Sequence, residues 1–299
     1  MDNFKSGFVS IIGRPNAGKS TLLNGLVKHK VAIVSPKAQT TRNKIQGIYT
    51  DDDCQIIFID TPGIHKPNNK LGEELNKMAY SSSKDVEGTI LIVDASKEFL
   101  DGDKYVLEEI KGFDHPVILV LNKIDLISKN KLIEAVDFWN KQFDFKAIVP
   151  ISALNSENMD SLLKVVKEML PFGPMYYSKD SISSYPERFI VSELIREKIL
   201  YLTEEEVPHS VAVVIESMKR KRDNLFHIHG TIIVDKDSKK GIIIGKGGKM
   251  LKQIGIAARK DIEELLGIRV MLELFVKVEK DWRDSMYLLK EYGYKDSDQ

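Results

Sequence analysis

Four short stretches of this chain carry residue types and spacings that could do chemistry on a phosphate or a base. GRPNAGKS at residues 13–20 places glycines at both ends of a loop and a lysine and serine at its close. Such a loop, lying between the strand-like FVSII and the helix-like KSTLLNGLV, can wrap phosphate oxygens with backbone N–H groups. Lys19 then reaches the outer phosphates and Ser20 offers a hydroxyl to Mg²⁺. DTPG at 60–63 supplies a carboxylate at the end of a second apolar run. NKID at 122–125 follows a third, VILVL, where Asp125 can accept both the N1–H and the exocyclic amine of guanine, a pair that adenine does not present. ISAL at 151–154 closes the series.

The order and spacing of these motifs resemble the translation-factor-related GTPases. The resemblance implies that Asp60 holds Mg²⁺ through water, that the Gly63 amide senses the γ phosphate, and that Ser152 and Ala153 support the base. QTTR at 39–42 resembles the first switch, where a threonine completes the metal shell; Thr41 is favoured over Thr40. The expected nucleotide contacts are the loop residues Gly13, Arg14, Pro15, Asn16, Ala17, Gly18, Lys19, Ser20 and the following Thr21. With them go Asp60, Thr61, Pro62, Gly63 and Ile64, then Asn122, Lys123, Ile124 and Asp125, then Ser152 and Ala153. Catalysis is expected of Lys19, Thr41, Asp60, Gly63 and Asn16, and metal binding of Ser20, Thr41 and Asp60. Many small GTPases place a water-orienting glutamine after D-x-x-G, whereas this chain has Ile64. Turnover without a partner is therefore expected to be slow. Asn16 matches an asparagine that in related GTPases helps bind potassium, a cation able to stand in for an arginine finger.

A second glycine-lysine loop lies at 241–251, GIIIGKGGKML. It is no second phosphate loop, because Gly247 follows Lys246 where the Mg²⁺ ligand would be and residue 240 is not glycine. It fits the I-G-x-x-G pattern of KH domains, in which the turn clamps single-stranded nucleic acid through close backbone approach. Expected RNA contacts are Ile244, Gly245, Lys246, Gly247, Gly248, Lys249 and Lys252. Residues 239–260 contain seven basic side chains and no acidic one, in a chain of 44 basic and 44 acidic residues.

Short apolar runs alternating with helix-length amphipathic segments from residue 8 to 170 predict an α/β domain with a mostly parallel sheet. PFGPMYYSKDSISSYP reads as a linker, and an α+β pattern begins near Glu187. The expected organisation is a P-loop GTPase domain over 1–172, a linker over 173–186 and a type II KH domain with a C-terminal tail over 187–299. EEVPHS, IIIGKGG and VKVEKDWR, together with the N-terminal motifs, resemble the Era family of GTPases across nearly the whole chain. That resemblance implies GTP and GDP with Mg²⁺, potassium as an activating cation, and a role in small ribosomal subunit assembly. It also implies a grip on the single-stranded 3′ end of small-subunit ribosomal RNA. The alternative from another class is a GTP-regulated membrane or protein adaptor with incidental RNA binding.

Other features are read more plainly. No apolar run approaches the roughly 20 residues of a membrane span. A phosphate loop at residue 13 leaves little room for a cleaved signal, so the expectation is a cytoplasmic monomer, with peripheral association at the inner face of the cell membrane left open. Cys54 is the only cysteine, so no internal disulfide can form. KRKR at 219–222 reads as part of a hairpin loop. His227 and His229 share a strand face, but with no carboxylate or cysteine near them in sequence they read as a core or surface pair rather than metal ligands.

Overall fold

The computed structural model describes residues 3–35, 40, 44–63, 70–82, 85–204, 207–222 and 224–294. The chain divides into two compact units: Met1–Ala32, Thr41–Lys66 and Leu75–Ser184 in one, Ile33–Thr40, Pro67–Glu74 and Tyr185–Gln299 in the other.

In the first unit the strands are β1 (Lys5–Ile12), β2 (Ile45–Thr50), β3 (Cys54–Asp60), β4 (Gly88–Asp94), β5 (Val117–Asn122) and β6 (Ala147–Pro150). The helices are α1 (Lys19–Val27), α2 (Lys70–Ser81, in this unit from Leu75 onward), α3 (Asp101–Ile110), α4 (Lys129–Asn140) and α5 (Met159–Met169). Sheet order is β2-β3-β1-β4-β5-β6, parallel except for the antiparallel edge β2. β3 and β5 are buried along their whole length, which explains why they read as unbroken apolar runs instead of alternating ones. β1 lies between β3 and β4, so the chain winds outward both ways from it and opens a crevice at the strands' carboxyl ends. Register brings Ile11 level with Asp60, and Asp94 level with Asn122, so the polar ends of β3, β4 and β5 reach one edge.

β2 is a short edge strand without a continuous apolar run, and the sequence does not announce it. The proline- and serine-rich segment after Leu170 lies against it: the Ile48 N–H donates to the Ile182 carbonyl at 3.0 Å and Ser183 Oγ to the Gln46 carbonyl at 2.9 Å. Gln55 on β3 accepts from the Tyr176 and Tyr177 amides at 2.8 and 2.9 Å. The segment thus satisfies an edge that would otherwise expose unpaired backbone.

In the second unit, α6 (Glu187–Leu202) precedes β7 (Val211–Arg222) and β8 (Leu225–Val234), then α7 (Asp237–Ile244), α8 (Lys249–Leu266), β9 (Arg269–Val278) and α9 (Met286–Glu291). The sheet order is β7-β8-β9, with β7/β8 antiparallel and β8/β9 parallel. One core joins Val191, Leu194 and Ile195 of α6 to Ile228 and Ile232 of β8. Ile254, Ala258 and Ile262, four apart on α8, join the same core and turn the helix's other face to water. Two readings change here. The residues Lys219–Arg222 belong to β7, paired with Leu225–His227 of β8, so the basic run lies on the hairpin's strand and not in its loop. The segment from Gly241 to Ile244 is helical, the end of α7, despite a mid-helix glycine.

Candidate nucleotide and RNA sites

The phosphate loop leaves β1 at Gly13 and enters α1 at Lys19. Gly18 has φ +104°, and a Cβ there would meet Asn122 Nδ2 at 2.2 Å, so both backbone shape and space require glycine. Lys19 is turned inward, 6% exposed, its ammonium donating to the Gly13 and Arg14 carbonyls at 3.1 and 2.9 Å. Burial pushes its pKa down to about 8, with the Asp60 carboxylate opposing the shift. A buried ammonium bonded to loop carbonyls, its pKa depressed by burial despite the nearby Asp60 carboxylate, suits a site whose ligand is an anion. Ser20 Oγ donates to Asp60 Oδ2 at 2.7 Å, and Asp60 is fully buried at the end of β3. A hydroxyl and a carboxylate side by side next to that lysine form an all-oxygen donor set of the kind Mg²⁺ prefers. Gly63 closes on the loop: a Cβ there would lie 2.9 Å from three atoms of Pro15.

Asn122 organises the far side of the site. Its Nδ2 donates to the Ala17 carbonyl at 2.8 Å and its Oδ1 accepts from the Ala153 amide at 3.0 Å, at 2% exposure. Its amide is therefore a strut between the phosphate loop and the segment 151–154. Lys123, at φ +65°, donates to the Asn16 carbonyl at 2.9 Å and to Asp94 Oδ2 at 2.6 Å. Burial would raise the Asp94 pKa, but bonds from Lys123 and Ser96 outweigh it and hold the carboxyl below its ordinary value. Asp125 stands exposed in a short 3₁₀ turn, Ile124–Leu126, free to face a base. Ser152 Oγ accepts from the Asn155 amide at 3.2 Å, shaping the turn that carries Ala153. Thr61 Oγ1 donates to the Ile11 carbonyl at 2.9 Å and is wholly buried, a structural role.

In the second unit, Gly245, Gly247 and Gly248 take φ of +69°, +60° and +76°. This turn delivers the chain to the N-terminus of the 18-residue α8, where unpaired N–H groups favour an anion. A Cβ at Gly245 would collide with Met250 at 2.7 Å, whereas Gly247 and Gly248 face open space. Lys246, Lys249 and Lys252 are exposed. A groove of about 430 Å³ begins at Gly248 and runs between α8 and β9, with Ile256, Arg259 and Met271 among its walls. Ile256 and Met271 are 54% and 45% exposed, apolar surface placed beside cationic side chains.

A protein-family model described as a 50S ribosome-binding GTPase matches residues 8–123, and one described as a KH domain matches residues 206–283. A solved structure of Era in complex with MgGDPNP and nucleotides 1506–1542 of 16S ribosomal RNA is 41% identical, with a TM-score of 0.95 over 98% of this chain and 99% of that one. This chain belongs to the Era family. A second Era structure, a tyrosine-to-alanine variant from Aquifex aeolicus bound to GDP·AlF₄⁻, is also 41% identical, with a TM-score of 0.94 and coverage of 98% and 100%. The chain is thus an Era-family GTPase with a P-loop α/β domain and a KH domain.

Within this Era-family chain the structure gathers the 13–20 loop, Asp60, Gly63, Asn122–Asp125 and Ser152–Ala153 at one sheet edge. Thr41 and Ile64 lie outside the described residues. Ile244 ends α7 half-buried and does not line the groove. Sequence reading missed Asp94 and Asp103, the second of which accepts from Arg14 Nη1 at 2.7 Å and ties the phosphate loop to α3. It also missed Gly255, Ile256 and Arg259, although they follow Gly248 and Lys252 on one face of α8 at helical spacing.

Proposed function

We propose that this Era-family chain is a GTP-hydrolysing switch that grips the single-stranded 3′ end of small-subunit ribosomal RNA and acts in assembly of that subunit. The carrying observation is the end-to-end match to an Era structure that holds both ligands, magnesium nucleotide and 16S RNA. Lys19 would neutralise the outer phosphates, and Asp125 would read guanine, with Asn122 and Ala153 holding the base pocket in place. Ser20 and Asp60, joined by Thr41, would hold Mg²⁺, which supplies charge neutralisation between the phosphates when bound. Gly63 reports the γ phosphate through its backbone because no side chain intervenes between it and Pro15.

Ile64 cannot orient water by hydrogen bonding, so intrinsic turnover is slow, on the order of 10⁻³ per second. Asn16, exposed in the phosphate loop, would help hold an activating potassium ion. Equal rates in potassium and sodium would exclude that role. At the KH domain the turn 245–248 and Lys249 and Lys252 take phosphates, while Ile256 and Met271 receive bases. No described helix is long and apolar enough to cross a membrane. The reading places the protein in the cytoplasm as a monomer, any contact with the inner face of the cell membrane being peripheral.

The test is photocrosslinking in growing cells followed by sequencing of bound RNA. A focused peak at the 3′ end of small-subunit RNA is expected. Diffuse crosslinks would favour a GTP-regulated adaptor, and a peak in large-subunit RNA would move the site to the other subunit.

A further inference from the structure

His227 and His229 lie two apart on β8, and parallel pairing sets His229 level with Glu273 of β9. A carboxylate more than 40 positions away in sequence is thereby delivered to both imidazoles. Glu273 Oε1 is 3.1 Å from His227 Nε2, and Oε2 is 3.1 Å from His229 Nδ1. All three donors fall within 4.8 Å of one another. His227 is only 8% exposed, yet its Nε2 makes no hydrogen bond of acceptable geometry among the described residues, the nearby carboxylate included. A buried ring nitrogen whose near neighbour is a misaligned carboxylate is poorly satisfied, and a cation between the three groups would satisfy it.

We propose that His227, His229 and Glu273 form a binding site for a divalent first-row transition ion of the zinc type. Two imidazoles and one carboxylate are a donor set that zinc accepts, at metal–ligand distances of about 2.0–2.2 Å, with a fourth position for water or a partner's donor. Bonds of that length in a tetrahedron place neighbouring donors about 3.3 Å apart; each imidazole nitrogen already lies 3.1 Å from one Glu273 oxygen, and side-chain rotation within the 4.8 Å cluster would bring a single oxygen and both nitrogens onto one ion. The fourth position has an outlet, because His229 and Glu273 each keep about a third of their side-chain surface in water. Lys219 stands opposite His227 on β7, but it is exposed and its ammonium can turn away from the ion. The site is separate from the nucleotide loop, whose donors are hard oxygens suited to magnesium.

Calorimetric titration of ZnCl₂ into the full-length protein saturated with Mg²⁺ and GDP, so that the phosphate loop is filled, tests the site. One saturable site with a dissociation constant on the order of 1 µM or tighter is expected. Glu273→Gln, nearly isosteric, and His229→Ala, on a partly exposed side chain, should each weaken it by about tenfold or more. Co²⁺ should give the intense visible absorption of a four-coordinate ion in the parent and lose it in both variants. Zinc should also raise the thermal midpoint of the parent and leave that of Glu273→Gln unmoved, a comparison that stands even if His227→Ala fails to fold. Absence of saturable uptake, or uptake that survives both substitutions, would overturn the assignment.

Discussion

The two glycine-lysine turns of this chain, residues 13–20 and residues 245–248, are built from similar parts and put them to opposite use. Each places a left-handed glycine, Gly18 or Gly248, immediately before a helix N-terminus. In the first, Lys19 points inward, is buried and bonds loop carbonyls, and Gly18 has no room for a Cβ. In the second, Lys246 and Lys249 point to water, and Gly247 and Gly248 face open space. The first loop is shaped around one small, highly charged ligand, and the second presents a surface along which a strand can lie. What separates them is what stands behind the loop: Asn122, Asp60 and Ile92 crowd the first, while the second opens onto the groove between α8 and β9.

The two loops differ most in their lysines. Lys19→Ala should cost nucleotide affinity about 2–5 kcal/mol, roughly thirtyfold to several thousandfold, because it strips a buried cation from the phosphates. RNA affinity should hold, and circular dichroism should show an intact fold. The same lysine carries a pH signature. Because its folded pKa is lowered to about 8 from 10.5, the unfolded chain binds more protons between those values, and the nucleotide-free protein should gain stability as pH rises through that window. GTP needs the ammonium, so its affinity should fall as pH rises above about 8, with proton uptake visible in the buffer dependence of the binding enthalpy. A flat profile on both counts would show that burial does not depress the Lys19 pKa in the empty loop, leaving the affinity loss of Lys19→Ala as the test of its phosphate role.

Changing Lys246 and Gly247 together to Asp is the counterpart on the RNA side. Asp tolerates the left-handed backbone at 247 better than most residues, so the turn should survive. Two carboxylates facing phosphate should lower RNA affinity by roughly ten- to a hundredfold, leaving GTP hydrolysis unaltered. Loss of nucleotide binding instead would mean that the two loops are not independent.

How much of this was legible depended on whether a feature is local. The phosphate loop, the Gly245–Gly248 turn and the buried strands β3, β4 and β5 announce themselves because each is a contiguous run. What was hidden is created by register. Lys123 meets Asp94 only because β4 and β5 pair with Asp94 beside Asn122, and Glu273 meets the two histidines only because β8 and β9 pair in parallel. The edge strand β2 and its covering segment were hidden differently: backbone amides, Ser183 and Gln55 hold them, and such bonds leave no hydrophobic period. Basic residues 219–222 misled because a run of charge suggests a loop, whereas successive residues Lys219, Arg220 and Lys221 point to opposite faces and are all exposed, so both faces of the strand's end are open to water.

The glycines of the two loops should give effects of intermediate size. Gly18→Ala combines about 1–3 kcal/mol of backbone strain with a contact that would dislodge the Asn122 strut. Gly248→Ala meets nothing within 4 Å, so only the left-handed penalty of about 1–2 kcal/mol remains. Urea unfolding should therefore rank Gly18→Ala well below Gly248→Ala in stability, and only the former should weaken GTP. Equal destabilisation would show that crowding behind the first loop is not what distinguishes it.

The smallest effect asks whether the outward lysines touch phosphate directly. If Lys246, Lys249 and Lys252 each neutralise one phosphate of a single strand, together they contribute about −2 to the slope of log affinity against log salt. Lys249 opens α8 and is exposed, with no ion pair holding it among the described residues, so it is available for such a contact. Lys249→Ala should then make the slope shallower by about 0.7 and lower affinity equally for every RNA sequence, because a phosphate contact carries no base information. Lys19→Ala should leave that slope untouched, since its cation is committed to the nucleotide. An unchanged slope for Lys249→Ala would leave the helix N-terminus and the turn's backbone, rather than this side chain, as the phosphate grip.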